Sequence, residues 1–153
     1  MRKIRKAVIP AAGYGSRFLP ISKAVPKEMV PVVDKPVIQH VVEEAVASGI
    51  TDILIVIGRS KRAIEEHFAP NAELEEELAA KDKTEALEAC RVTTGLARIH
   101  FVWQHAMRGL GDAVLHAREH VGDEPFALLM GDTIVESADG ATTVTRQLCD
   151  IAE

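Results

Sequence analysis

Apolar residues fall along the chain in two alternating patterns, short continuous runs and longer stretches of helical period. Lys6–Pro10 is short and apolar and predicts a first strand. From Pro36 to Ser48 the apolar positions are Val37, Ile38, Val41, Val42, Ala45 and Val46, a period that predicts a helix. Pro36 suits the first turn of that helix and Gly49 its stop. Ile53–Ile57 is continuously apolar and mostly β-branched, as in a strand buried on both faces. Ser60 is placed to cap a helix from Lys61 to Phe68. Residues 72–90 are acidic and rich in Ala, Leu and Glu, which predicts one long, largely exposed helix with Leu74, Leu78 and Leu87 facing inward. Ile99–Trp103 predicts a strand, Asp112–His120 a helix, Phe126–Met130 a further buried strand and Thr142–Ile151 a last helix. This alternation predicts an α/β domain with an open, mostly parallel sheet and flanking helices.

Composition narrows the class of molecule. A chain of 153 residues fits one domain with a real core. No apolar run approaches the ~20 residues that span a bilayer, so no membrane partner is expected. The basic start, Met-Arg-Lys-Ile-Arg-Lys, resembles a signal n-region, but the following apolar run breaks at Pro10, and a cytoplasmic location is expected. Cys90 and Cys149 lack metal-site spacing and read as free thiols. The net charge of −5 hides an asymmetry: residues 1–35 carry +6 and residues 36–153 carry −11. With an acidic body and only 4% aromatics, nucleic acid is not an expected partner. A basic segment in an acidic body suits a small anionic ligand.

The chemistry concentrates in residues 8–35. There an apolar run ends in Ala11-Ala12-Gly13-Tyr14-Gly15-Ser16 and leads to Arg17, Lys23 and Lys27. Glycine bares the backbone and the cations follow at once, an arrangement suited to a polyphosphate. Gly13 and Gly15 match the first half of a dinucleotide fingerprint, and Asp34 lies about 20 residues on. But Phe18 takes the third glycine position, and Pro20 and Pro26 interrupt the required crossover helix. A P-loop fails because no Gly-Lys-Ser/Thr follows. A plain tight turn accounts for the glycines but not for the cations. His116 and His120 match H-x-x-E-H of zinc peptidases, though solvated histidines on an amphipathic helix explain five residues equally well. Asp132 follows Gly131 at the end of a predicted strand, where a rigid carboxylate suits Mg2+ and where a turn Asp is also common. Gln104 follows another strand, with Gly109 five residues later. Its amide both donates and accepts, matching an imide edge such as uracil.

Together these residues resemble one family. Ala11 to Pro20 resembles the signature loop of sugar-1-phosphate nucleotidyltransferases. Pro26-Lys27-Glu28-Met29-Val30-Pro31-Val32-Val33-Asp34-Lys35-Pro36 is similar to the segment of bacterial UTP–glucose-1-phosphate uridylyltransferases, and Lys27-Glu28-Met29 is its discriminating part. Gln104 with Gly109-Leu110-Gly111-Asp112-Ala113-Val114, and the acidic stretch at 72–90, occur in corresponding places. The resemblance implies a Rossmann-like, nucleotide-diphospho-sugar transferase-like fold. It also implies Mg2+-dependent transfer of UMP from UTP to glucose 1-phosphate, with in-line attack on the α-phosphate and release of pyrophosphate. Carried over residue by residue, it assigns Arg17 and Lys27 as catalytic groups on the triphosphate. Ala11, Ala12, Gly13, Gly15, Ser16, Glu28, Gln104 and Gly109 would join them in nucleotide binding, and Asp132 would hold Mg2+.

Members of the family continue well past the length of this chain. The resemblance therefore implies that residues 1–153 are the N-terminal, nucleotide-binding portion, and that the acceptor-sugar residues and much of a homo-oligomer interface lie elsewhere. A non-catalytic nucleotide-binding module, or a relative using dTTP or another sugar, stands as the alternative. Ser16 where threonine is common, and Asp112 where histidine is often seen, are smaller departures.

Overall fold

The computed structural model describes residues 2–138 and 140–153. The chain opens with β1 (Lys6–Pro10) and passes through three short 3-10 turns at Ser16–Phe18, Ile21–Lys23 and Lys27–Met29. A small antiparallel ribbon, β2 (Pro31–Val32) with β3 (Lys35–Pro36), leads into α1 (Val37–Ala47). Then come β4 (Asp52–Ile57), α2 (Arg62–Phe68), α3 (Ala72–Ala80), α4 (Thr84–Thr94) and β5 (Arg98–Trp103). The chain continues through α5 (Leu110–Leu115), α6 (Arg118–Val121), β6 (Phe126–Leu128) and α7 (Val144–Ala152).

Four strands form one parallel sheet in the order β5–β4–β1–β6. The chain builds outward from β1 through β4 to β5, then crosses back to lay β6 on the other side of β1. The α/β prediction therefore holds, with a Rossmann-like strand order. Side chains alternate between the two faces of the strands. Ala7 and Ile9 of β1 and Ile53, Ile55 and Ile57 of β4 pack with Ile38, Val41, Val42 and Ala45 of α1 and with Ile64 and Phe68 of α2. Val8, Leu54 and Val56 turn to the opposite face and pack with Ala113, Ala117 and Val121. The two central strands are thus covered on both faces, which is why they read as unbroken apolar runs.

The sequence-based boundaries for β1, β4, β5 and α1 agree with the structure to within one residue at each end. Other expectations are corrected. Ser60 does not cap α2: it sits at φ 63, its hydroxyl donates to the Arg59 carbonyl, and Lys61 is the cap residue. The long acidic helix is two helices, because Asp82 takes a left-handed conformation at φ 52 between α3 and α4. The resulting hairpin brings Arg91 to Glu75 at 3.0 Å, an exposed link. Leu78 and Leu87 are half-buried, whereas Leu74 is exposed. The predicted helix at 112–120 begins at Leu110 and divides into α5 and α6, where the Ala117 N–H tightens onto the Val114 carbonyl. The strand after it is shorter than predicted and is not buried. Its neighbour in the sheet is β1, and Leu128 and Met130 are exposed. Among the described residues no helix is long and apolar enough to cross a membrane.

Ile55 is fully buried at the centre of the sheet. Ile55→Ala is expected to cost about 2–5 kcal/mol, through lost burial and the cavity it leaves. Ile151→Ala, at a residue 83% exposed, is expected to stay within about 0.5 kcal/mol. Urea denaturation of both variants measures the contrast.

Candidate functional site

In open α/β sheets a crevice forms at the carboxyl edge where the strand order reverses. Here the reversal lies between β1 and β6. Backbone hydrogen bonds carry the ladder just past the strand ends and so fix the residues that follow. The Ala11 N–H donates to the Val56 carbonyl at 2.8 Å, the Gln104 N–H to Ile57 at 2.8 Å and the Gly131 N–H to Pro10 at 3.3 Å. Gly131 permits this approach, since a Cβ there would lie 3.0 Å from the Pro10 carbonyl and 3.2 Å from the Ala11 Cβ. Asp132 is thereby held beside the end of β1.

A cavity of about 310 Å³ opens at this edge. Ala11, Ala12, Gly13, Lys27, Glu28, Gln104, Gly109 and Asp132 all line it. The structure thus brings together eight of the eleven residues singled out from the sequence. Gly15, Ser16 and Arg17 do not line it: they sit on the adjoining turn, with Ser16 and Arg17 exposed. Gly15 has φ 67, and a Cβ there would meet the Lys27 Cδ at 3.1 Å, so glycine lets the turn close over the lysine stem. Two larger clefts, each about 470 Å³, lie elsewhere. Their charged lining is mainly acidic, so neither suits a polyphosphate.

Charge in the cavity is arranged as a chain. Lys61 Nζ donates to Glu28 Oε2 at 2.7 Å, and both side chains are almost completely buried. Lys27 Nζ lies 3.6 Å from Glu28 Oε1 and donates to Asp132. Glu28 Oε1 is buried with no hydrogen-bond partner among the described residues. Burial pushes the Asp132 carboxyl up, but the hydrogen bond and charge of Lys27 outweigh it, and the group titrates below its ordinary value. Asp132 is therefore a carboxylate at neutral pH, with hard oxygens that suit Mg2+. Among the described residues no group of three or more His, Cys, Asp and Glu could hold a metal ion. A divalent ion here would rest on Asp132 and on oxygens brought by its ligand, which is how Mg2+ commonly binds beside phosphates.

Gln104 is buried, and its Nε2 donates to the Gly109 carbonyl at 3.2 Å and to Asp112 Oδ2 at 2.7 Å. The two histidines of the H-x-x-E-H match part company. The His116 ring meets the Asp112 carbonyl at 2.7 Å, while His120 reaches Asp52 at the amino edge of the sheet, 3.0 Å away. Sequence reasoning missed Lys61, which figured there only as the first residue of a helix. It also passed over Asp112 as a partner of Gln104. The separation of 33 positions between Glu28 and Lys61 leaves no local pattern that would reveal the pair.

A sequence model of the nucleotidyl transferase family matches residues 6–148. A UTP–glucose-1-phosphate uridylyltransferase of Bacillus subtilis (strain 168) is 57% identical over 150 residues, covering 98% of this chain and 50% of that relative. Among solved structures, a UTP-bound UGPase from Acinetobacter baumannii aligns with a TM-score of 0.91 at 42% identity, covering 97% of this chain and 52% of the other. A UDP-glucose pyrophosphorylase complexed with UDP-glucose aligns with a TM-score of 0.81 at 40% identity, covering 97% and 53%. The chain spans about half the length of the curated relatives it matches.

Two expectations follow from the charge chain. Lys61→Met strands a buried Glu28 and is expected to cost about 3–5 kcal/mol, whereas Lys61→Met with Glu28→Leu recovers most of the loss. Urea midpoints of the single and double variants decide it. The lowered Asp132 pKa stabilises the fold fully above its ordinary value of 3.8, and this contribution is lost as pH falls through the lower native value. Asp132→Asn has no carboxyl to protonate and is expected to lose less stability across that acid window, as measured by urea midpoints at stepped pH.

Proposed function

This chain belongs to the nucleotidyl transferase family, and we propose that it supplies the nucleotide-binding portion of a UTP–glucose-1-phosphate uridylyltransferase. The reaction would transfer UMP from UTP to glucose 1-phosphate and release pyrophosphate. One observation carries the reading: glycine-rich backbone, a lysine, a buried glutamine amide and an ionised aspartate share one cavity at the switch point of the sheet. The names of the relatives, and the UTP-bound and UDP-glucose-complexed forms of two aligned structures, support it.

In this reading the bare backbone at Ala11–Gly13 lies against base and ribose, and a Cβ at Gly13 would meet no protein atom within 4 Å, so ligand has room there. Gln104 and Gly109 face the uracil. Lys27 neutralises the triphosphate and then the departing pyrophosphate. Arg17, exposed on the adjoining turn, reaches the same charge from outside. The attack is in line at the α-phosphorus, and the protein contributes positioning and charge stabilisation. Asp132 would hold Mg2+, which when bound spreads the developing negative charge. Lys27 and Asp132 neutralise each other. A metal–triphosphate would offer Lys27 an anion and Asp132 a cation, so neither charge would be left unmatched.

Titration of UTP and dTTP in the presence of Mg2+ tests the reading. UTP is expected to bind more tightly, and absence of UTP binding or a preference for dTTP would overturn it. Lys27→Ala is expected to weaken UTP by about 1–3 kcal/mol, the range for a charge-assisted hydrogen bond. Calorimetric titration reads this directly, and unchanged affinity would remove Lys27 from the site.

A further inference from the structure

We propose that Asp112 is a specificity-determining positioning residue: by taking the Gln104 amide protons, it fixes Gln104 as an acceptor toward the cavity and so selects pyrimidines that carry an N3–H. The inference rests on the nucleotide-binding reading above and deepens it.

The orientation of the Gln104 amide follows from its partners. Asp112 is a carboxylate and the Gly109 group is a backbone carbonyl, so both oxygens can only accept. Nε2 must therefore face them, at 2.7 Å and 3.2 Å. Its two protons are thereby used. Oε1 is left as the opposite end of an amide that is almost entirely buried and lines the cavity. Among the described residues nothing donates to it. Uracil places an N–H at position 3 and can donate to this oxygen. Cytosine has a bare ring nitrogen there, so two acceptors would meet. Turning the amide over to suit cytosine would set Oε1 against both the Asp112 carboxylate and the Gly109 carbonyl. The penalty for cytosine is thus enforced by Asp112 rather than by Gln104 alone. A site that rejects an analogue by leaving buried polar groups mispaired discriminates more strongly than a site relying on fit. Thymine shares the N3–H of uracil, so this contact sorts uracil from cytosine and not UTP from dTTP.

A purely structural role for Asp112 makes a different prediction. Asp112 stands in the first turn of α5, where a negative charge favours the helix. Losing that alone would weaken all nucleotides alike and leave their ratio unchanged.

The experiment is calorimetric titration of UTP and CTP, each with Mg2+, into the unsubstituted chain, Asp112→Ala and Asp112→Asn. The unsubstituted chain is expected to prefer UTP. In Asp112→Ala the UTP-to-CTP affinity ratio is expected to fall about tenfold or more, the size of one mispaired hydrogen bond. Asp112→Asn keeps the shape of the side chain and can donate or accept, so it is expected to give a smaller fall in the same direction. If the unsubstituted chain prefers UTP and both variants keep its ratio, this inference is overturned while the proposed function stands. Equal binding of UTP and CTP by the unsubstituted chain would also overturn it, with nucleotide binding intact. Binding of neither nucleotide would overturn the functional reading itself.

Discussion

Lys61, Glu28, Lys27 and Asp132 form a run of alternating charges that ties together segments following three different strands. Glu28 and Lys27 lie on the long connection after β1, Lys61 follows β4, and Asp132 follows β6. Glu28 and Lys61 are buried, and each is the other's hydrogen-bonded counter-charge. Without Lys61, Glu28 would be driven from its place, and the 3-10 turn that presents Lys27 would lose its anchor. The cavity geometry therefore depends on a pair of which at least one member, Lys61, has no evident contact with the cavity. The neutral balance of the run also explains why a site with an ionised aspartate can sit beside the sheet without being torn open by its own charge.

Much of the fold was legible because burial on both faces of a parallel sheet leaves an unmistakable trace. β1 and β4 are continuous apolar runs since each has a helical layer above and below. The apolar run at Phe126–Met130 carries a similar trace, yet its residues are partly exposed. Membership of an edge is a property of the neighbours, not of the run, so hydrophobicity alone could not place it. The break at Asp82 was equally hidden. Lys81-Asp82-Lys83 contains neither glycine nor proline, and the acidic periodicity runs straight through it. The chain turns there at Asp82, in the left-handed region, and α4 folds back along α3.

The site divides along the same line. Gly13, Lys27, Gln104, Gly109 and Asp132 announced themselves through residue type and position after predicted strands. Lys61 and Asp112 did not, because each acts through another side chain. A lysine at the start of a helix and an aspartate in a first turn are commonplace. Only the fold shows that one neutralises Glu28 and the other orients Gln104. Ser16 and Arg17 show the converse: a motif read as one unit places part of itself at the cavity and part on the exposed turn beside it.

β1 holds the centre of the sheet, yet its neighbour β6 comes from the far end of the chain, and the contact between Lys27 and Asp132 spans 105 residues. Closing so long a loop has an entropic cost that must be met before the contact gives anything back. The half of the site that follows β1 and β4 can therefore exist as a docked surface before β6 arrives, while the acidic half arrives with it. On a ribosome this becomes a matter of timing. The basic wall of the cavity emerges early and waits, with Glu28 but not yet Asp132 beside Lys27, until β6 and the residues after it have been made.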